Sequence, residues 1–346
     1  MFGRSPKPIR VQVFGKTDVG RSREHNEDRF LVADLTRKDA SLQPQVRQHD
    51  LGERGSLFVV ADGMGGAAAG ELASQMATDT IFAHLMKAWS AESDPTPQHF
   101  AHRLKEAVEV ANASIHAHAK AHPEVRGMGT TTTAAGVLGD HLYLTQVGDS
   151  RAYLVRGGEA HQLTKDQSLM QRLVEAGELT EEEAAQSERR NIILQALGPD
   201  PKVKVDLTHQ EVRRGDVLVL CSDGLSGQVK KEEIAQIVTQ SSDLAAACDK
   251  LIALANQRGG PDNITVVMAR FDGEGLRSSG DQEEVGHQVY PLIDTETSTE
   301  PVPIYKGSRP PVPNKEAREA RGRLLTVVLG ALAVLAALLW FFTRSP

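Results

Sequence analysis

Cysteine is scarce, with Cys221 and Cys248 alone in 346 residues. That scarcity excludes a disulfide-stapled fold and suits a reducing compartment. Cys221 lies inside the apolar run DVLVLCSDG and reads as core filler, not as a nucleophile. Excess positive charge is missing too. A net charge of -7 argues against nucleic acid as the main ligand, because phosphate backbones are bound by basic faces. The opening stretch MFGRSPKPIRVQVFG has cations but no continuous apolar segment, so no secretory signal is expected. Nor does the chain contain an internal repeat.

What is present is ordinary for a globular protein, at 40% hydrophobic and 25% charged residues. Residues 9–272 read as one folded unit. RVQVFGKTD, DRFLVAD, LFVVAD, TTTAAGVL, HLYLTQVGD, RAYLVR, DVLVLCSD and NITVVMARF are short, apolar, β-branched stretches separated by turn residues. Helical spacing marks 67–89 through Leu72, Met76, Ile81 and Leu85, and 100–120 through Leu104, Val108, Ala111 and Ile115. KEEIAQIVTQ and DLAAACDKLIALANQ form a later helical pair. Strands, then helices, then strands predict an α+β fold with helices packed outside antiparallel sheets.

Residues 273–323 lose hydrophobic period, gather prolines, and pass from acidic to basic. They are expected to form a flexible, fairly extended linker. Leu324 to Phe342 then runs 19 residues without a charge, roughly 28 Å as a helix and close to the thickness of bilayer hydrocarbon. Lys306, Arg309, Lys315, Arg318, Arg321 and Arg323 precede this run, and only Arg344 follows it. The expectation is a single-pass transmembrane helix that keeps the preceding region in the cytoplasm.

The stretch SLFVVADGMGG poses the functional question, because its buried-looking run ends on the charge of Asp62. An Asp-Gly turn is the bland explanation. The pattern recurs, however, at Asp149 in TQVGDSR, Asp223 in LCSDGL and Asp262 in GPDNITVV, while Glu27 and Asp28 stand before the strand of SREHNEDRF. Clustered carboxylates repel and resist ionisation unless a cation compensates them. Six carboxylates with no histidine or cysteine among them specify hard oxygen coordination, Mg²⁺ or Mn²⁺ in preference to zinc. Glycine beside Asp62 lets a backbone carbonyl approach an ion. Two such ions lower the pKa of a bridging water and clamp a phosphoryl oxygen. Arg23 offers the planar fork that binds phosphate. Together these features point to phosphate-ester hydrolysis by in-line attack.

The ordered series DVGRSREHNEDRF, VVADGMGG, GMGTTTTAA, QVGDSRAYL, CSDGL and GGPDNITVV resembles the metal-dependent serine/threonine protein phosphatases, the PPM or type 2C family, in its bacterial form. The resemblance spans 11–271. It implies a β-sandwich of two antiparallel sheets flanked by helix pairs, a four-layer α-β-β-α arrangement. It also implies that Asp62 bridges two ions, that Asp223 and Asp262 complete the shell of the first ion, and that the Gly63 carbonyl and Glu27 serve the second ion with Asp28 acting through water. Arg23 matches the phosphate-binding arginine, and Asp149 matches a third, weaker ion site that shares Asp223. The implied activity is removal of phosphate from serine or threonine of cytoplasmic proteins, opposing a Ser/Thr kinase at the bacterial cytoplasmic membrane. The alternative is a catalytically weak, phosphoprotein-binding regulator of the same fold.

Some features depart from the family. Met64 stands where several eukaryotic members have a histidine proposed as general acid, so proton delivery is unassigned. The segment 164–197 resembles the bacterial flap, with SERRN in place of the usual His-Pro before its arginines, Arg189 and Arg190. His116, His118 and His122 do not all fall on one helical face and are read as surface residues.

Overall fold

A computed structural model describes residues 7–40, 47–280 and 284–292. Its strands form two sheets, in which every pairing is antiparallel. In spatial order the first runs β3 (Arg47–Asp50), β1 (Arg10–Asp18), β12 (Ile264–Asp272), β11 (Val217–Cys221), β8 (Arg151–Arg156) and β9 (Glu159–Gln162). The second runs β10 (Asp206–Glu211), β7 (His141–Val147), β6 (Thr132–Leu138), β4 (Ser56–Met64) and β2 (Asp28–Asp34), with β5 (Gly129–Thr130) paired to the end of β4.

Side-chain alternation explains how the layers stack. Along β4, Phe58 and Val60 face the first sheet, where they meet Val13, Leu154, Leu220 and Val267. The intervening Leu57, Val59 and Ala61 face the helices α1 (Ala67–Ala88) and α2 (Pro97–Ala121). On β11, Leu218 and Leu220 point into the sandwich, while Val217, Val219 and Cys221 pack against α6 (Lys231–Gln240) and α7 (Leu244–Gln257). Three apolar layers therefore separate helix pair, sheet, sheet and helix pair, as expected. Cys221 is fully buried, and that burial pushes its thiol up to about 12. It fills the core.

Local chemistry sets the helix starts. Thr96 accepts from the His99 amide and Pro97 follows at the first helical position of α2. Asp243 caps α7 through the Ala246 amide at 2.8 Å. Of the three histidines, His118 and His122, one turn apart, stack at 4.0 Å between centroids. His116 turns elsewhere and bonds the Gly198 carbonyl at 2.9 Å.

Two features lie outside what sequence periodicity foretells. Strands β3, β9 and β10 are short and polar, and they owe their conformation to pairing with a neighbour. The structured chain also continues past 272. Residues 284–292 return along the free side of β10, where the His209 amide donates to Gln288 and the Tyr290 amide to Leu207. Tyr290 packs edge-on to Tyr143 and His209. Residues 293–346, which contain the rest of the expected linker and the expected span at 324–342, lie outside the described residues. Among the described residues no helix is long and apolar enough to cross a membrane.

Candidate metal centre

The acids singled out by sequence sit at strand ends of both sheets. Asp28 opens β2 and lies directly opposite Asp62 on β4. Asp149 follows β7, Asp262 precedes β12, and Asp223 opens the short helix α5 (Asp223–Ser226) after β11. Their charges reach one another across the sandwich. Asp62 is pushed well above the ordinary aspartate range by burial, and then by Asp28, Asp223, Asp149 and Asp262. Burial also raises Asp149 to about 8, with Asp223 adding to the effect. Asp28 rises to about 7 through burial, against the pull of the Thr265 and Ser222 hydroxyls. Asp223 rises to about 6 through burial and the charge of Asp262, with Asp62, Arg23 and Arg151 opposing.

Among the described residues, no three acidic, histidine or cysteine side chains form a ready-made cation cage. Asp62 and its acidic neighbours form a repelling group, not a closed shell. Yet Asp28 Oδ1, Asp149 Oδ1 and Asp223 Oδ1 are buried without a hydrogen-bond partner. Buried oxygens of this kind are costly unless something pairs them. An all-oxygen donor set of repelling acids suits a hard divalent cation, so the residues fit Mn²⁺ or Mg²⁺.

Glycine makes the close approach possible at two places. A Cβ on Gly63 would fall 2.2 Å from the Gly70 carbonyl oxygen, and one on Gly70 would fall 1.8 Å from Glu27 Oε2. The Gly63 amide in turn donates to the Glu27 carbonyl at 3.2 Å. Burial raises the Glu27 pKa, although Arg23 draws it down.

Arg23 is half-exposed, and its Nη2 holds Asp262 at 2.8 Å. The proposed phosphate-binding fork is therefore engaged with a proposed metal ligand. Met64 ends β4 opposite Gly129 and brings no titratable group.

Several supporting residues were not singled out from the sequence. Asn263 accepts from the Glu27 amide and donates to the carbonyls of Val19 and His25, tying the Arg23 loop to β12. Thr131 accepts from the Asp62 amide at 3.2 Å and shares a hydrogen bond with Ser150 at 2.8 Å. Asp166 takes a bidentate grip from Arg151, and the Gly148 amide donates to the Gln167 side chain at 3.1 Å, which fixes the flap base beside Asp149. Asn263 and Thr131 stood within the quoted motifs, but nothing there distinguished them from turn and strand residues.

The flap carries α3 (Leu169–Glu175) and α4 (Glu181–Gln186). Residues of α3 and of the segments flanking α4 line an open hollow of about 400 Å³, among them Leu169, Met170, Leu173, Leu179 and Arg189. Arg189 thus faces the flap's own hollow. Arg190 is exposed.

Comparison with known proteins agrees with this geometry. The family model "Protein phosphatase 2C" matches residues 32–259. The serine/threonine protein phosphatase PstP of Mycobacterium tuberculosis is 43% identical over 213 residues, 62% of this chain and 40% of that protein. This chain thus matches less than half the length of the mycobacterial relative. The serine/threonine phosphatase stp of Listeria monocytogenes is 37% identical over 258 residues, covering 74% of this chain and 94% of that one. Among solved structures, the PstP catalytic domain in complex with two manganese ions superposes with a TM-score of 0.60 at 36% identity, covering 76% of this chain and 99% of that one.

Proposed function

The chain belongs to the protein phosphatase 2C family, and from that premise we propose that it hydrolyses phosphate esters on serine and threonine side chains of proteins. The observation that carries the proposal is the set of buried, unpartnered oxygens on Asp28, Asp149 and Asp223, grouped around Asp62. Asp62, Asp223 and Asp262 would hold one divalent ion, and Asp62, the Gly63 carbonyl and Glu27 would hold a second, with Asp28 acting through water. Asp149 and Asp223 would serve a third, weaker site. With manganese or magnesium bound, these residues would gain the chemistry such ions supply: water made acidic enough to attack near neutral pH, and charge offset on phosphoryl oxygens.

The remaining steps belong to the chain itself. Arg23 orients the phosphate through its guanidinium, which exchanges the Asp262 contact for substrate oxygens. Within the second sheet, the pairing of β2 with β4 keeps Asp28 directly opposite Asp62, which fixes these two carboxylates relative to a phosphate that would be attacked in line. Met64 has no proton to give, so no side chain at that position protonates the departing serine or threonine oxygen.

The tail supports a further reading. The uncharged run at 324–342, preceded by six cations, anchors the enzyme in the bacterial cytoplasmic membrane with the phosphatase domain in the cytoplasm. There it opposes a Ser/Thr kinase, and tethering raises its concentration near membrane-associated phosphoproteins.

Hydrolysis of p-nitrophenyl phosphate with Mn²⁺ tests the chemistry. Asp62→Asn and EDTA are each expected to lower turnover by about 10³-fold or more, the scale on which lost electrostatic stabilisation acts. Undiminished turnover in Asp62→Asn refutes the assignment. Truncation after Ile293 is expected to release the protein from membranes while leaving phosphopeptide hydrolysis intact.

A further inference from the structure

Ser222 lies between β11 and α5 and is completely buried. Its hydroxyl serves both sheets. It accepts from the Thr265 amide on β12 at 3.0 Å and donates to Asp28 Oδ2, at the start of β2, at 2.7 Å. A serine hydroxyl has one proton to donate. The competing acceptor, the Asn263 carbonyl, lies at 3.4 Å, so Asp28 is the better-placed recipient. One carboxylate oxygen of Asp28 is thereby held in place. The other, Oδ1, remains buried and without a partner, on a residue only 6% exposed and opposite Asp62.

We propose that Ser222 is a positioning residue of the cation site, locking the Asp28 carboxylate so that Oδ1 is presented toward the ion or toward a water on it. The inference rests on the metal reading above and adds to it a residue outside the ligand set. A carboxylate free to rotate must be ordered when the ion binds, and that ordering lowers affinity. Groups that orient metal ligands commonly change affinity by about 10- to 100-fold when removed. Ser222 acts only through Asp28; its proton is committed there, and it makes no covalent bond with substrate.

Isothermal titration of Mn²⁺ into the full chain in detergent solution tests this. The comparison set is the unaltered protein, Ser222→Ala, Ser222→Cys, Asp28→Asn and the Asp28→Asn/Ser222→Ala pair. Ser222→Ala is expected to weaken Mn²⁺ binding by about 10- to 100-fold. Ser222→Cys, which keeps a weaker donor, is expected to fall between it and the unaltered protein. In the Asp28→Asn background, Ser222→Ala is expected to add little, because linked positions are non-additive.

Unchanged Mn²⁺ affinity in Ser222→Ala, with only the melting temperature of the metal-free protein lowered, assigns Ser222 a purely structural role and overturns the proposal. Full additivity in the double variant overturns action through Asp28. If Ser222→Ala does not fold, the affinity of Ser222→Cys decides, and an unaltered value overturns the proposal. Failure of the unaltered protein to bind Mn²⁺ overturns the metal reading itself, and this inference with it.

Discussion

Strand β11 has an aspartate at each end, and the fold treats the two in opposite ways. Asp216, just before the strand, is 1% exposed and fully answered. Arg156 grips it through Nε at 3.0 Å and Nη2 at 2.7 Å, and the Arg213 amide donates to it at 2.7 Å. Asp223, just after the strand, has a buried oxygen with no partner and faces Asp262 and Asp62. The first carboxylate is neutralised from within the chain, so it serves the fold. The second is left without an internal cation among other carboxylates, a liability to the fold unless a cation arrives. Sequence position and residue type are alike at the two ends; only the compensation differs.

That contrast can be broken by substitution. Asp216→Asn leaves Arg156 buried opposite a neutral group and is expected to destabilise the protein by about 3–5 kcal/mol, read from the urea midpoint. A midpoint unchanged from the parent would show that Arg156 finds other compensation.

The acid cluster predicts a pH response in the metal-free protein. Asp149 at about 8, Asp28 at about 7 and Asp223 at about 6 keep protons that an unfolded chain releases near pH 3.9. The folded state therefore binds more protons between about pH 4 and pH 8, and metal-free stability falls as pH rises through that window. Saturating Mn²⁺ is expected to remove the fall. Urea unfolding at both ends of the window, with EDTA and with Mn²⁺, reads it directly, and a metal-free midpoint that rises with pH contradicts the reading.

Asp223→Asn sharpens the comparison, since it removes an uncompensated charge. In metal-free protein near neutral pH it is expected to gain stability on the order of 1 kcal/mol, the reverse of Asp216→Asn, and to lose Mn²⁺-dependent activity. A loss of stability equal to that of Asp216→Asn would erase the distinction between the strand ends.

The smallest effect belongs to the surface. Glu233 is gripped by Arg258 through both nitrogens at 2.6 and 2.7 Å, and that hydrogen bonding holds its pKa down to about 2. Its contribution is present above about pH 4.3 and is lost as pH falls toward 2. Glu233→Gln should therefore narrow the stability difference between pH 5 and pH 3 slightly, by an amount typical of exposed pairs.

Much of the site was legible because a charge at the end of an apolar run is conspicuous. Asp62, Asp149, Asp223 and Asp262 stand out against their strands, and Glu27 and Asp28 precede one. The supporting groups were not. Ser222 and Asn263 have the look of turn residues, and only the meeting of two sheets turns them into clamps across about 200 positions of chain. Gly70 reads as an ordinary helical glycine until Glu27 is found against it. The polar edge strand β10 and the returning Tyr290 have no hydrophobic period to announce them; pairing with a neighbouring backbone decides their conformation. The Arg23 fork suggests phosphate binding, but nothing local signals its pairing with Asp262, 239 residues away and 2.8 Å distant in the fold.

The most direct measurement is a crystal of the protein grown with MnCl₂, with diffraction recorded at the manganese absorption edge. Two anomalous peaks sharing Asp62, one contacting Asp223 and Asp262 and the other the Gly63 carbonyl and Glu27, are predicted. A well-phased map with no peak within coordination distance of Asp62 would contradict the assignment.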